Sequence, residues 1–175
     1  MAVPGAPEGR RPKAAFTLLE LLVVIFIVVL LAGLLLSGVV LVVRSTERRE
    51  AATQTRSLVT ALKAYRLEYG QWPGQTQAAR DRTYTDNAFL VAGLTNNPRG
   101  LVLIDISRAR LLNGNYVDPW KRPYIVALDE NGDGQVEINA TMGAEALQAT
   151  VSGETVAAAS WGRAPKDPAS RIVSW

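Results

Sequence analysis

The chain contains neither cysteine nor histidine among its 175 residues. The first absence excludes a disulfide framework, a thiol nucleophile and cysteine-held zinc, while an oxidising compartment stays open. The second removes Ser-His-Asp triads and His-ligated metal centres. Neither a Walker loop nor a dinucleotide fingerprint occurs. Asp105 and Asp118 have no evident partner in the sequence and read as solvated surface acids. Enzymatic chemistry has no foothold, and no enzymatic activity is expected. Charge of one sign is also scarce: the net charge is +3, and Arg10, Arg11 and Lys13 near the start carry much of the excess. A surface this close to neutral gives no reason to expect nucleic acid as a partner.

What the chain does have is one long apolar run. From Leu21 to Val43 only Ser37 is polar. At about 1.5 Å per residue the run makes roughly 35 Å of helix, enough for a hydrocarbon core of about 30 Å. The apolar region of a cleaved secretory signal is shorter, about 7–15 residues. Arg10, Arg11 and Lys13 precede the run and place the N-terminus on the cytoplasmic side. Glu20 stands alone at its head, with no charge nearby in sequence to neutralise it. An ionisable group costs roughly 2.5–3.5 kcal/mol near the centre of a membrane segment and usually marks function. A polar partner for Glu20 is therefore expected.

The segment Lys13-Ala14-Ala15-Phe16-Thr17-Leu18-Leu19-Glu20-Leu21-Leu22-Val23-Val24 resembles the N-terminal signal of type IV pilins and type II secretion pseudopilins. In that family a prepilin peptidase cuts before the Phe on the cytoplasmic side and methylates the new amine. The resemblance implies cleavage between Ala15 and Phe16, N-methylation of Phe16, and retention of Glu20 for filament assembly. Two positions depart from the family pattern: Ala15 stands where Gly is usual before the cut, and Ser37 where many members have Pro. Cleavage would place a positive amine within about one helical turn of Glu20. In a stack of subunits a neighbour's amine can meet that carboxylate in low dielectric, where pairing is far stronger than in water.

Beyond the apolar run the helical pattern continues. Leu58, Leu62, Tyr65 and Tyr69 form one apolar stripe, and Arg44 to Arg56 is polar enough to be helical while wet. Gly70 suits a C-terminal cap and Pro73 a stop. One helix from near Phe16 to Tyr69 is expected, roughly 80 Å long if straight. Trp72-Pro73-Gly74 is a turn, and Ala88 to Leu94 suits a short helix with Phe89, Leu90 and Leu94 inward. Leu101 to Ile106 is β-prone or helical, and Arg108 and Arg110 read as solvated charges.

The last third suggests a small antiparallel sheet. Tyr124 to Leu128 is a strand, Asp129 to Gly134 a turn, and Gln135 to Asn139 the return partner. Thr150 to Ser152, Thr155 to Trp161 and Arg171 to Trp175 supply further short strands. Asp118-Pro119-Trp120-Lys121-Arg122-Pro123-Tyr124 resembles the DPW-x-x-PY segment that precedes the sheet in major type II pseudopilins. Its two prolines restrict the direction of approach, and Trp120 can cover one end of the core.

Asp129-Glu130-Asn131-Gly132-Asp133-Gly134 carries oxygen side chains at alternate positions. Asp129, Asn131 and Asp133 suit calcium, as in the first half of an EF-hand loop, although the twelfth position is Ala140 rather than an acid. Asn-Gly and Asp-Gly are equally strong hairpin signals, so a plain turn stays open beside the calcium site. The calcium site of major pseudopilins does not carry over, because its nearest counterpart, Ser160 to Pro168, retains one acid, Asp167.

These observations lead to an α+β, pilin-like fold. A leader over 1–15 is followed by a membrane or filament-core helix over 16–43 and its amphipathic continuation over 44–70. A head with a small antiparallel sheet occupies 71–175. The expected function is that of a structural subunit of a pseudopilus or type IV pilus-like filament, single-pass in a bacterial inner membrane with its head periplasmic. Other pseudopilins, the prepilin peptidase, the assembly platform and its ATPase are partners implied by the resemblance. The alternative is a membrane-tethered module whose head captures a ligand or DNA, with Trp161 and Trp175 as aromatic candidates.

Overall fold

The computed structural model describes residues 17–75 and 80–175, except for the side chains of 35–41. The leader and the Ala15–Phe16 junction lie outside the described residues. Two compact units are present, Met1–Val43 and Arg44–Trp175. Helix α1, Leu18–Tyr69, contributes to both.

In the first unit, α1 carries leucine, valine and isoleucine side chains that are exposed in the isolated chain. The expected span from Leu21 to Val43 includes 35–41, whose side chains are outside the described set. Among the described residues, no helix is long and apolar enough to cross a membrane.

The second unit is built on the last part of α1. Leu58, Ala61, Leu62 and Tyr65 are buried along one stripe, as their spacing predicts. Gly70 adopts φ 72° and its N–H donates to the Arg66 carbonyl, which ends the helix as expected. Then follow β1 (Arg82–Tyr84), α2 (Ala88–Thr95), β2 (Leu111–Leu112), β3 (Asn115–Tyr116), β4 (Ile125–Leu128), β5 (Gln135–Met142), β6 (Glu145–Ser152), β7 (Val156–Ser160) and β8 (Ile172–Val173). The main sheet is antiparallel, with strand order β1-β4-β7-β8. This is the expected α+β arrangement of a long N-terminal helix and a small antiparallel head.

Several details differ from the sequence reading. Gln135 to Asn139 does not return along Tyr124 to Leu128: β5 pairs with β6 over eight residues each, and Thr150 to Ser152 is the end of β6. The burial patterns explain why. Every position of β4 is buried, whereas β5 alternates exposed and buried. A strand covered on both faces sits inside a sheet, while an alternating one lies over it with one face to solvent. The β5–β6 hairpin covers the outer face of the main sheet, with Val136, Ile138, Leu147 and Val151 against Ile125, Ala127, Ala157 and Ala159. The inner face, Val126, Leu128, Val156 and Ala158, packs with Leu58 and Leu62 of α1.

Leu101 to Ile106 forms neither helix nor strand. Phe89 points outward at 58% exposure, and Val91 takes the inward place expected of it beside Leu90 and Leu94. An unexpected hairpin joins β2 to β3. Its turn residues Asn113 and Gly114 have φ 52° and 82°, the two positive values that an Asn-Gly hairpin turn requires.

Strand β7 reads Val-Ala-Ala-Ala-Ser and is buried throughout. Its alanines let the helix layer and the hairpin layer close on one sheet without collision. Ala158→Leu is expected to overpack the inner face and lower stability by about 1–3 kcal/mol. Urea unfolding of the fragment from Arg44 to Trp175 checks this; an unchanged midpoint contradicts it.

Candidate assembly site

Thr17 precedes the first helical residue, and Glu20 occupies the third helical position. The Thr17 N–H donates to Glu20 Oε2 at 3.1 Å. The Thr17 hydroxyl donates to the same oxygen at 3.1 Å and accepts from the Glu20 N–H at 3.2 Å. This reciprocal pairing is a capping box. Glu20 thus has a hydrogen-bonding partner three residues away that carries no charge. The signal was present in the sequence as T-x-x-E before an apolar run. Leu18, Leu19, Leu21 and Leu22 around the carboxylate are all exposed in the isolated chain.

Within the second unit, the stretch expected to be wet is held by the head. Ala51 and Thr55 are fully buried. Glu47 Oε2 accepts from the Trp120 indole at 3.1 Å and from Arg163 at 3.4 Å. Arg48 donates to the Ala169 carbonyl at 3.1 Å, Arg110 pairs with Glu50, and the Tyr124 hydroxyl donates to Gln54. Arg110 is therefore not a solvated charge; its acid lies sixty residues away in sequence, out of reach of local patterning.

Asp118 is 0% exposed rather than the solvated surface acid expected from the sequence. Its Oδ1 accepts from the backbone N–H groups of Trp120 and Arg122, each at 2.9 Å, and its Oδ2 from the Ser160 hydroxyl at 2.6 Å. Ser160 Oγ in turn accepts from the Gly162 N–H at 2.9 Å. The carboxylate pins the Pro-Trp segment to the end of β7, which gives the DPW-x-x-PY resemblance a structural role. Gly162 cannot carry a side chain, because a Cβ there would fall 1.9 Å from the Ser170 carbonyl oxygen.

Burial raises the Asp118 pKa, and the hydrogen bonds from Ser160, Arg122 and Trp120 oppose the rise without cancelling it. An acid whose folded pKa exceeds its unfolded one contributes most below the unfolded value, and that contribution is lost as pH rises through the folded value. Asp118→Asn keeps the acceptor for two N–H groups but turns an amide toward Ser160. The variant should be less stable by about 1–3 kcal/mol in acid, with a deficit that shrinks as pH rises. Urea unfolding across the acidic range checks both magnitude and slope; a deficit that grows with pH contradicts the assignment.

The acidic loop is closed by its own backbone. Asp129 is buried, its Oδ1 accepting from the Gly132 N–H at 2.6 Å and its Oδ2 from the Gly134 N–H at 3.2 Å. Asn131 accepts from the Asp133 N–H and donates to the Asp133 carboxylate, which also accepts from the Gln135 N–H. Among the described residues, no group of three or more His, Cys, Asp or Glu is placed to hold a metal ion. Each of Asp129, Asn131 and Asp133 already has a partner within the turn, so the loop closes without an ion. The melting temperature of the Arg44–Trp175 fragment should accordingly not change with calcium. A rise in excess calcium that Asp133→Ala abolishes would instead place the ion in this loop.

Asp167 caps a short 3-10 turn by accepting from the Ala169 N–H at 2.9 Å. Trp161 is buried beneath the Arg171 guanidinium, 5.4 Å from its ring centre, while Trp175 is 43% exposed.

Residues 10–36 match the prokaryotic N-terminal methylation motif. The match includes the Ala15–Phe16 junction, Thr17 and Glu20. No curated protein and no solved structure matches the chain.

Proposed function

We propose that this chain, a type IV pilin-like and prepilin-processed subunit by its N-terminal motif, is a building block of a helical pseudopilus that drives protein export by assembly. The methylation motif over 10–36 is the observation that carries the reading. Prepilin peptidase would cut between Ala15 and Phe16 and methylate Phe16. The subunit would be anchored once in the bacterial inner membrane with its head in the periplasm. Its partners would be copies of itself, other pseudopilins, the assembly platform and its ATPase.

The pseudopilus is preferred over a fimbrial pilus because Asp118 to Tyr124 resembles the segment before the sheet in major type II pseudopilins. The buried Asp118 and the Trp120–Glu47 bond give that segment a structural reason to exist. The work of such a subunit is mechanical, with no catalytic step. A tethered ligand-capturing head has weaker support, since of its two aromatic candidates Trp161 is buried and only Trp175 is exposed.

In assembly, Glu20 would accept the methylated amine of a neighbouring subunit. Losing one partner of such a buried pair costs on the order of 3–5 kcal/mol, repeated at every subunit. Intact mass of the mature protein should begin at methylated Phe16. Glu20→Ala should leave a membrane-inserted, processed protein that does not enter filaments. A mature chain still starting at Met1, or normal filaments from Glu20→Ala cells, defeats the reading.

A further inference from the structure

Positive charge is unevenly placed on the second unit. The bonds from Trp120 and Arg163 to Glu47, and from Arg48 to Ala169, bring the segments around 120 and 163–169 beside the first turns of that unit's helix. This end carries Arg44, Arg48, Arg49, Lys121, Arg163 and Lys166, all exposed, against the acids Glu47 and Asp167. Glu50 is taken by Arg110, and buried Asp118 lies beside Arg122, so neither reduces the excess. We propose that this end of the unit binds anionic phospholipid headgroups at a membrane surface. The proposal rests on the membrane-anchored reading above and adds to it a lipid class and the residues that meet it.

Three observations point to lipid rather than to water as what these cations face. Among the described residues, Arg163 alone of the six forms an ion pair, with Glu47. Arg48 and Lys121 donate instead to the carbonyls of Ala169 and Ala109, each at 3.1 Å, which fixes them without cancelling their charge. The cations also begin where the apolar run ends: Arg44 directly follows the exposed Val42 and Val43. Finally, Trp120 sits half-buried among them with its indole N–H on Glu47, and such amphipathic rings settle at membrane–water interfaces. Further along the helix the pattern changes, since Lys63 is paired with Glu154 and Arg99 with Glu68. Screening confines each charge to a reach of about 8–10 Å, so the local excess counts and the net charge does not. A subunit in the membrane is then held by its head as well as by its apolar helix, and entry into a filament must part both.

The lysines report on both places at once. Lys121 and Lys166 belong to the cationic end, while Lys63 lies roughly 28 Å from Arg44 by helical rise and serves as the internal reference. The full-length chain is placed, one copy per disc, in lipid nanodiscs of phosphatidylcholine alone or of equal parts phosphatidylcholine and phosphatidylglycerol. Labelling by a water-soluble amine reagent is then read at each lysine by mass spectrometry. With phosphatidylglycerol, Lys121 and Lys166 are expected to label about fivefold more slowly, the scale of one cation at an anionic surface, and Lys63 at an unchanged rate. The difference should vanish in about 1 M salt, where the screening length falls to about 3 Å. Arg44→Gln combined with Arg49→Gln should restore the phosphatidylcholine rates at both lysines.

Equal rates in the two lipids overturn the proposal, as does a slowing that survives the double substitution. The same slowing by inorganic phosphate in phosphatidylcholine discs would make the patch a site for free anions. Slowing only in discs that hold several chains would make it a contact between copies, and either result overturns the lipid assignment. Faster labelling of Lys63 in the double variant would signal a loosened fold, because its pairing with Glu154 would be lost. Lys166→Gln, read at Lys121, then replaces that variant and should relieve the slowing there; an undiminished slowing again overturns the proposal. A chain that enters discs of neither composition defeats the membrane anchor and the proposal with it. Entry into both with no dependence on lipid charge defeats the proposal alone.

Discussion

A carboxylate that enters an apolar environment must bring its hydrogen-bond donors along or find them there. Glu20 meets the first half of that demand through the turn it belongs to. The same demand recurs in the head, where Asp118 and Asp129 are buried and each is held by backbone N–H groups from the few residues that follow. In all three cases the acid takes donors that a helix start, a proline-bounded segment or a tight turn leaves unpaired. Most of these donors are local; the Ser160 hydroxyl at Asp118, 42 residues away in sequence, is the exception.

Local satisfaction leaves the larger charged side chains free to join elements distant in sequence. Glu47, Arg48, Glu50 and Gln54 reach the segments around Trp120, Ala169, Arg110 and Tyr124. Between these contacts the helix offers small buried residues, Ala51 and Thr55, and its large apolar ones begin at Leu58. Polar fastening and apolar packing thus occupy successive stretches of one helix. The alanines of β7 belong to the same economy of space, because a sheet covered on both faces has room for little more than a methyl group at its centre.

What could be read from the sequence follows from the range of the forces involved. The helix, its glycine stop, the β4 and β7 strands and the turn at Asp129 all rest on patterns a few residues wide, and those patterns are visible. Strand partners are not local. Nothing in Gln135 to Asn139 says that it pairs forward with β6 rather than back with β4; only the difference between one-sided and two-sided burial would have said so. Asn87, fully buried and bonded to the backbone of Tyr116 and Tyr124, is likewise silent in sequence, since its partners lie about thirty residues or more away. The Asn113-Gly114 turn and the T-x-x-E box, by contrast, rest on patterns only two and four residues wide.

The contacts between the head and the helix bear on how the two would stay together under force. Glu47, Arg48, Glu50 and Gln54 are spaced over two turns, and their partners come from three separate segments of the head, around Arg110, Trp120–Tyr124 and Ala169. A force along the helix axis would strain these bonds side by side, so that none could fail without the others sharing its burden. A force peeling the helix away from one end would load them one after another. Bonds loaded side by side in this way would resist an axial force better than a peeling one.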